Sequence, residues 1–284
     1  MPAPRITTMS NPSPAAGERE GPRPQGWEGE GLSSSPNLRS PASLREAPSP
    51  ALQERGLSLA LYRVLTWLSP GFPIGAFSYS HGLEAAADHG TVRDRESLQH
   101  WIAAVVALGA GRMDADTLRD AHRAASLQDL DALASANRRG LAFRATAEMA
   151  LETTAQGEAF FATCRAAWPD PVLDRGAEML KEAGEVVCHA AAVGAVTACA
   201  GIPLDCALIA YLQAMSANLV SVGLRLGIVG QTDGQRILAA LEPVVSTAAA
   251  DAVTRDSASF GGAAFAVELS SMAHETQYTR LFRS

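Results

Sequence analysis

From Leu57 onward, apolar residues recur every three or four positions, and nowhere does an apolar–polar alternation last long enough to make a strand. That pattern points to an all-α fold. Leu57, Leu61, Val64, Leu65 and Leu68 form the first stripe, which Pro70 and Pro73 end. A Pro/Gly loop over residues 70–75 then leads to a short second helix, expected over Ser78–Asp88 and closed by Gly90. Asp94 reads as the N-cap of a third helix, whose Leu98, Trp101, Ile102, Val105 and Leu108 share a face. Shorter helices are expected over 114–126, 128–138, 141–154 and 157–167, followed by a break at Trp168–Pro171. A long helix is expected from Ala177 to Cys199 with Gly201 as its stop, and Pro203 opens a largely buried helix over Leu204–Gly227. Thr232-Asp-Gly-Gln235 has the form of a capping box and starts a helix through Val245. Past about residue 252 the pattern loosens. The expected body is one all-α domain of about ten helices.

Residues 1–56 differ in kind. Ten of the 16 prolines lie there, among Gly, Ser, Arg and Glu. Such a stretch buries too little apolar area to offset its ordering entropy. The expected organisation is a disordered arm over 1–56, a helical domain over 57–253 and a partner-binding tail over 254–284.

Charge and cysteine usage narrow the function classes. The net charge is -7. The first 56 residues carry six Arg against six Glu, so the deficit sits on the body. An acidic body argues against nucleic acid as a ligand. Cys164, Cys188, Cys199 and Cys206 form no C-x-x-C pair, and the plainer reading is buried small hydrophobes in a reducing compartment. The N-terminus shows no signal-peptide h-region. The apolar runs Val186–Leu204 and Ala207–Val229 are interrupted by His189 and by Gln213, Asn218 and Arg225 respectively. They read as core helices of a cytoplasmic protein rather than membrane spans.

The standard catalytic signatures are missing. There is no G-x-x-x-x-G-K-[ST], and the single lysine, Lys181, sits in no such context. There is no G-x-S-x-G elbow around Ser78 and Ser80, and no H-E-x-x-H. The nearest constellation is His81, Glu84 and Asp88, placed on one helix face by offsets of three and four. Its functional reading is a metal site or an acid/base pair in an all-α metal-dependent enzyme that uses His81 and Glu84. Its plainer reading is a solvated or partner-facing stripe. His89, His100, His122 and His189 are scattered singles, read as surface or hydrogen-bonded core histidines. Two regions remain. The Pro/Gly loop carries Phe72 and Phe77, and the chain end mixes Tyr278, Arg280, Leu281, Phe282 and Arg283, the residue types that anchor interfaces.

Those regions also carry a resemblance. The run Leu65–Glu84, with its Ser-Pro-Gly-Phe-Pro-Ile-Gly-Ala-Phe-Ser-Tyr-Ser-His-Gly-Leu-Glu core, resembles the N-terminal signature of the UreF family. Gly230-Gln-Thr-Asp-Gly-Gln-Arg236 and His274–Ser284 are similar to that family's later G-Q-T-D-G-Q motif and C-terminal end. The resemblance spans residues 57–284 and leaves the arm without a counterpart. It implies an all-α homodimer with no catalytic, cofactor or metal residues of its own. Its implied partners are the accessory protein UreD (also called UreH), the GTPase UreG and apo-urease, which receives nickel from the assembly. Phe72, Phe77, Tyr79, Glu84, Gln231, Arg236, His274, Tyr278, Arg280, Leu281 and Phe282 are the residues expected to bind partners. The tail is expected to order only on a partner.

Overall fold

A computed structural model describes residues 50–284, with side chains from Ser58 onward. The described residues form eleven α-helices and two 3-10 turns, with no strand. The helices are α1 Pro50–Trp67, α2 Leu83–Asp88, α3 Arg95–Ala107, α4 Ala110–Ser126, α5 Leu130–Ala142, α6 Ala147–Ala167, α7 Pro171–Ala183, α8 His189–Cys199, α9 Leu204–Arg225, α10 Gln231–Thr254 and α11 Phe265–Glu275. The 3-10 turns are Ala76–Ser78 and Ser257–Ser259. The all-α expectation holds. The expected arm lies outside the described residues up to 49, and α1 begins at Pro50, seven residues before the predicted start.

The core is organised around α8, whose residues from His189 to Thr197 are all buried. A helix apolar on every side has to sit at the centre. Its small residues let α4 and α6 approach closely, and α9 packs beside them against α3 and α10. α9 and α10 are long and apolar enough to cross a membrane by length and composition, and both pack within this bundle.

α4 brings charge into the interior in a useful way. Buried Arg119 donates to the carbonyls of Ala252 (2.7 Å) and Arg255 (3.0 Å), and Arg123 donates to that of Val253 (2.8 Å). These are the carbonyls that the end of α10 leaves without intrahelical partners. Asp116 pairs with Arg119 (3.2 Å) and Arg255 (2.7 Å), which closes the set. Burial pushes the Asp116 carboxyl above its usual range, and Arg255 and Arg119 pull against that rise.

Several boundaries differ from the sequence reading. The helices expected over 141–154 and 157–167 are one, α6, which runs through Gly157. That glycine is a contact point rather than a stop, because an added Cβ would collide with the Val187 carbonyl. The long helix expected over Ala177–Cys199 is two, separated at Gly184, a left-handed C-cap at φ 65°. Asp94 caps α3 as expected, in a reciprocal box with Ser97. Thr232 caps nothing: α10 starts two residues earlier, with Gly230 at the N-cap position. On α1, Leu61 and Leu65 face outward at 58% and 65% exposure, and the inward residues are Ala60, Val64 and Trp67.

The largest difference is at the chain end. α11 packs on α2 and α6, and Val267, Ser271, His274, Phe282 and Ser284 are buried. The tail is docked on its own domain without a partner, because polar anchors on the body hold it.

Candidate functional site

The segment after the Pro/Gly loop and the last residues of the chain run side by side. Ser78 carbonyl accepts from Arg283 N–H (2.8 Å), and Ser80 N–H donates to Ser284 carbonyl (2.8 Å). The Ser80 hydroxyl binds the same carbonyl. Glu84, buried on α2, completes the clasp. Its Oε1 accepts Leu281 N–H (2.6 Å) and its Oε2 accepts Phe282 N–H (2.9 Å). A carboxylate oriented by two backbone donors makes charge-assisted bonds of about 1.5–3 kcal/mol each.

Fully buried His274 joins this centre to α6. Its Nε2 lies 3.1 Å from Glu84 Oε2 and its Nδ1 lies 2.7 Å from Glu148 Oε2. Glu148 Oε1 also takes Arg280 (2.6 Å). Thr146 and Ser271 hydroxyls meet at 2.8 Å, and Asp88 accepts from Gln277 Nε2 (2.6 Å). Gly82 makes the close packing of α11 on α2 available. Its φ is 72°, and a Cβ there would sit 2.6 Å from Ser271 nitrogen.

The clasp leaves a ridge of apolar and basic groups. Phe77 is 66% exposed, Leu281 64%, and Tyr278 fully so. Arg225 donates to the Phe77 carbonyl and lies 4.3 Å above the buried Phe282 ring, so it ties loop to tail. On α11, Phe265, Leu269 and Met272 are exposed at spacings that put them on one face.

Beneath the Pro/Gly loop lies a cavity of about 460 Å³, walled by Trp67, Phe72, Ile74, Met149 and Met215. Its floor is polar. Asp114 pairs with Arg144 (2.5 Å) and accepts from Tyr211 Oη (2.9 Å). Glu152 lies 3.1 Å from His81 Nδ1 and accepts from Gln156 (2.9 Å) and Ser284 Oγ (2.9 Å). Burial alone would lower the Arg144 pKa, but Asp114 outweighs it and the net shift is upward. The same opposition, with Glu152 winning, raises His81. Burial, and then Asp114, raise Tyr211 well above its usual value. Burial drives His189 down to about 4, so its ring is neutral at physiological pH. Among the described residues no group of three or more His, Cys, Asp or Glu could hold a metal ion.

The predicted site residues therefore divide. Phe77, Tyr278 and Leu281 are exposed as interface anchors need to be, and Arg280 is partly so. Gln231 and Arg236 are exposed on α10, Arg236 holding Asp233 at 2.9 Å; no hydrogen bond or ion pair among the described residues joins them to the clasp. Phe72, Tyr79, Glu84, His274 and Phe282 are buried, so as surface contacts they are corrected. Phe72 packs on Phe160 at 5.3 Å, Glu84 is bound by the tail's Leu281 and Phe282 amides, and His274 by the body's Glu84 and Glu148. His81, Glu84 and Asp88 do not share a helix face. His81 precedes α2 at φ 54°, and the three side chains reach Glu152, the tail and Gln277 respectively. The sequence reading missed Ser80, Asp114, Arg144, Glu148 and Glu152. One signal was present for the last two: Glu148, Glu152 and Gln156 recur every four residues on α6 beside Ala and Phe, a polar stripe that needs internal partners.

Comparison with known proteins agrees in family. The UreF family model matches residues 92–242. The urease accessory protein UreF of Rhodopseudomonas palustris (strain BisB18) is 47% identical over 225 residues, covering 79% of this chain and 92% of its own. That of Bradyrhizobium sp. (strain BTAi1) matches to the same extent. That of Azorhizobium caulinodans is 44% identical over 233 residues, covering 82% of this chain and 99% of its own. The chain belongs to the UreF family.

Proposed function

We propose that this UreF family member is a non-catalytic scaffold of urease maturation, which presents its loop–tail ridge to other proteins. The observation that carries the reading is the clasp. Two segments about 200 residues apart in sequence meet through Glu84 and Ser80, and the meeting leaves Phe77, Tyr278, Arg280 and Leu281 outward. Aromatics and arginine around a rigid base are the residue types that dominate binding energy. The partners are a second accessory protein of the UreD/UreH type, the GTPase UreG and apo-urease, and nickel is the cargo of the assembly rather than a resident cofactor. The outward apolar side chains of α1, Leu61, Tyr62 and Leu65, and of α11, Phe265 and Leu269, offer further surface for partners and for a homodimer. The cytoplasm is the compartment in which this assembly acts.

Co-expression with UreD and UreG, read by co-elution, tests the reading. Phe77→Ala and Leu281→Ala are expected to weaken capture by about tenfold or more while circular dichroism stays unchanged, since a central anchor contributes roughly 2 kcal/mol or more. Arg280→Lys is expected to weaken capture as well, because an ammonium cannot copy the planar two-pronged guanidinium contact. Full co-elution and full urease activity with all three variants would remove the ridge from the account.

A further inference from the structure

We propose that the cavity beneath the Pro/Gly loop is a binding site for an uncharged, largely apolar small molecule that carries one hydrogen-bonding group, seated on His189.

The size is that of a ligand site: about 460 Å³ falls within the roughly 300–1,000 Å³ of small-molecule pockets. The wall chemistry is also that of one, with Trp67, Phe72 and Met215 around the sides and polar groups gathered at the floor. The polarity of the ligand follows from which floor groups are already used. Asp114 is neutralised by Arg144 at 2.5 Å, and Glu152 faces His81 at 3.1 Å. Their remaining capacity goes to Tyr211, Gln156 and Ser284. A charged ligand would have to leave water with no free counter-charge to meet it. Three lining nitrogens have no hydrogen-bond partner among the described residues: Trp67 Nε1, His81 Nδ1 and His189 Nε2. His81 still faces Glu152, the Trp67 indole can only donate, and His189 is the one that can take either role. Its residue is nine-tenths buried, its ring is held between Phe160 (5.5 Å) and Tyr211 (5.4 Å), and its Nε2 has no hydrogen-bond partner among the described residues. A buried ring nitrogen held in place and left unbonded is a group awaiting a partner. Being neutral, the imidazole matches a hydroxyl or amide, which can donate to or accept from it.

The experiment uses the full chain with methyl-labelled methionine, because Met149 and Met215 both line the cavity. The probes are 4-methylphenol and benzamide, with benzoate and benzylammonium as charged counterparts. The two neutral probes are expected to shift the Met149 and Met215 methyl signals with dissociation constants of about 1 mM, as befits ligands of this size. The charged pair should bind at least about tenfold more weakly. His189→Phe should weaken the neutral probes by about tenfold, the worth of one buried hydrogen bond. Ala217→Trp, at the partly exposed mouth on α9, tests the location even if His189→Phe fails to fold, and it should abolish the shifts. Equal or tighter binding of the charged probes, shifts insensitive to Ala217→Trp, or no shift at the solubility limit of the neutral probes would each overturn the proposal.

Discussion

The α4–α8 contact and the tail clasp are both buried, yet they are built from opposite chemistry. α8 offers Ala190, Ala191, Val193 and Val196 to its neighbours, with Gly194 set against the α4 backbone, where an added Cβ would collide with the Leu118 carbonyl. The clasp has little apolar surface of its own beyond Val267 and Phe282, and it depends on Glu84, His274 and Glu148. An apolar contact distributes its free energy over many small increments. A buried polar contact concentrates it, because removing one partner leaves the others desolvated and unmatched. The bundle should therefore yield gradually to truncation of its apolar side chains, and the tail should yield at one residue.

The strongest way to break that contrast is Glu84→Leu, which strips the acceptor from Leu281 and Phe282 N–H and leaves His274 facing one carboxylate. Losing one member of such a buried set is expected to cost about 3–5 kcal/mol in urea unfolding. Limited proteolysis should then cut after Glu275 while helicity of the bundle persists. A tail as resistant as in the parent chain would show that the polar centre is dispensable.

An acid limb tests the α8 side. His189 is held neutral, with its pKa driven by burial from 6.5 to about 4. In this window the unfolded chain binds a proton that the folded chain refuses. Stability is therefore full above pH 6.5 and falls as pH drops toward 4, by up to about 3 kcal/mol. His81 has the opposite sign, since Glu152 raises its pKa and its contribution fades as pH rises through the folded value. Urea titrations between pH 4 and 7 should show a flatter acid limb in His189→Phe. An unchanged slope would contradict the neutral, buried imidazole.

Smaller effects sharpen the comparison. Val193→Ala on α8 removes two buried methyl groups and should cost about 2 kcal/mol, with tail protection unaltered. Thr232→Ala should change the melting temperature little, within about 0.5 kcal/mol, because Thr232 is exposed and Gly230 occupies the cap position. A loss of about 1 kcal/mol would return the cap to Thr232.

The same contrast explains what could be read from sequence. The α3 stripe and the Asp94 cap are local, periodic signals. Leu98, Trp101, Ile102 and Val105 and the cap appear where they were expected, while Leu108 falls just past the helix end and is exposed. Gly184 and Gly157 show the limit of local reading. Both are glycines in helical patterns, yet one ends a helix and the other lies inside one, and the Val187 carbonyl that distinguishes them is 30 residues from Gly157. The clasp was legible only as two suspicious regions. Nothing in Ser78–Glu84 states that its carboxylate will meet amides at 281 and 282, since that bond is long-range and has no period. For the same reason Phe72 and Phe282 looked like anchors, whereas Phe160 and Arg225 make them interior.

The most direct test is amide hydrogen exchange at Leu281 and Phe282 in the isolated full chain, compared with its Glu84→Gln variant. The account predicts slow exchange of both amides without any partner, and marked acceleration in the variant while the amides of α8 stay as slow as before. Exchange of Leu281 and Phe282 at the rate of an unstructured peptide, or equal protection with and without the carboxylate, would contradict it.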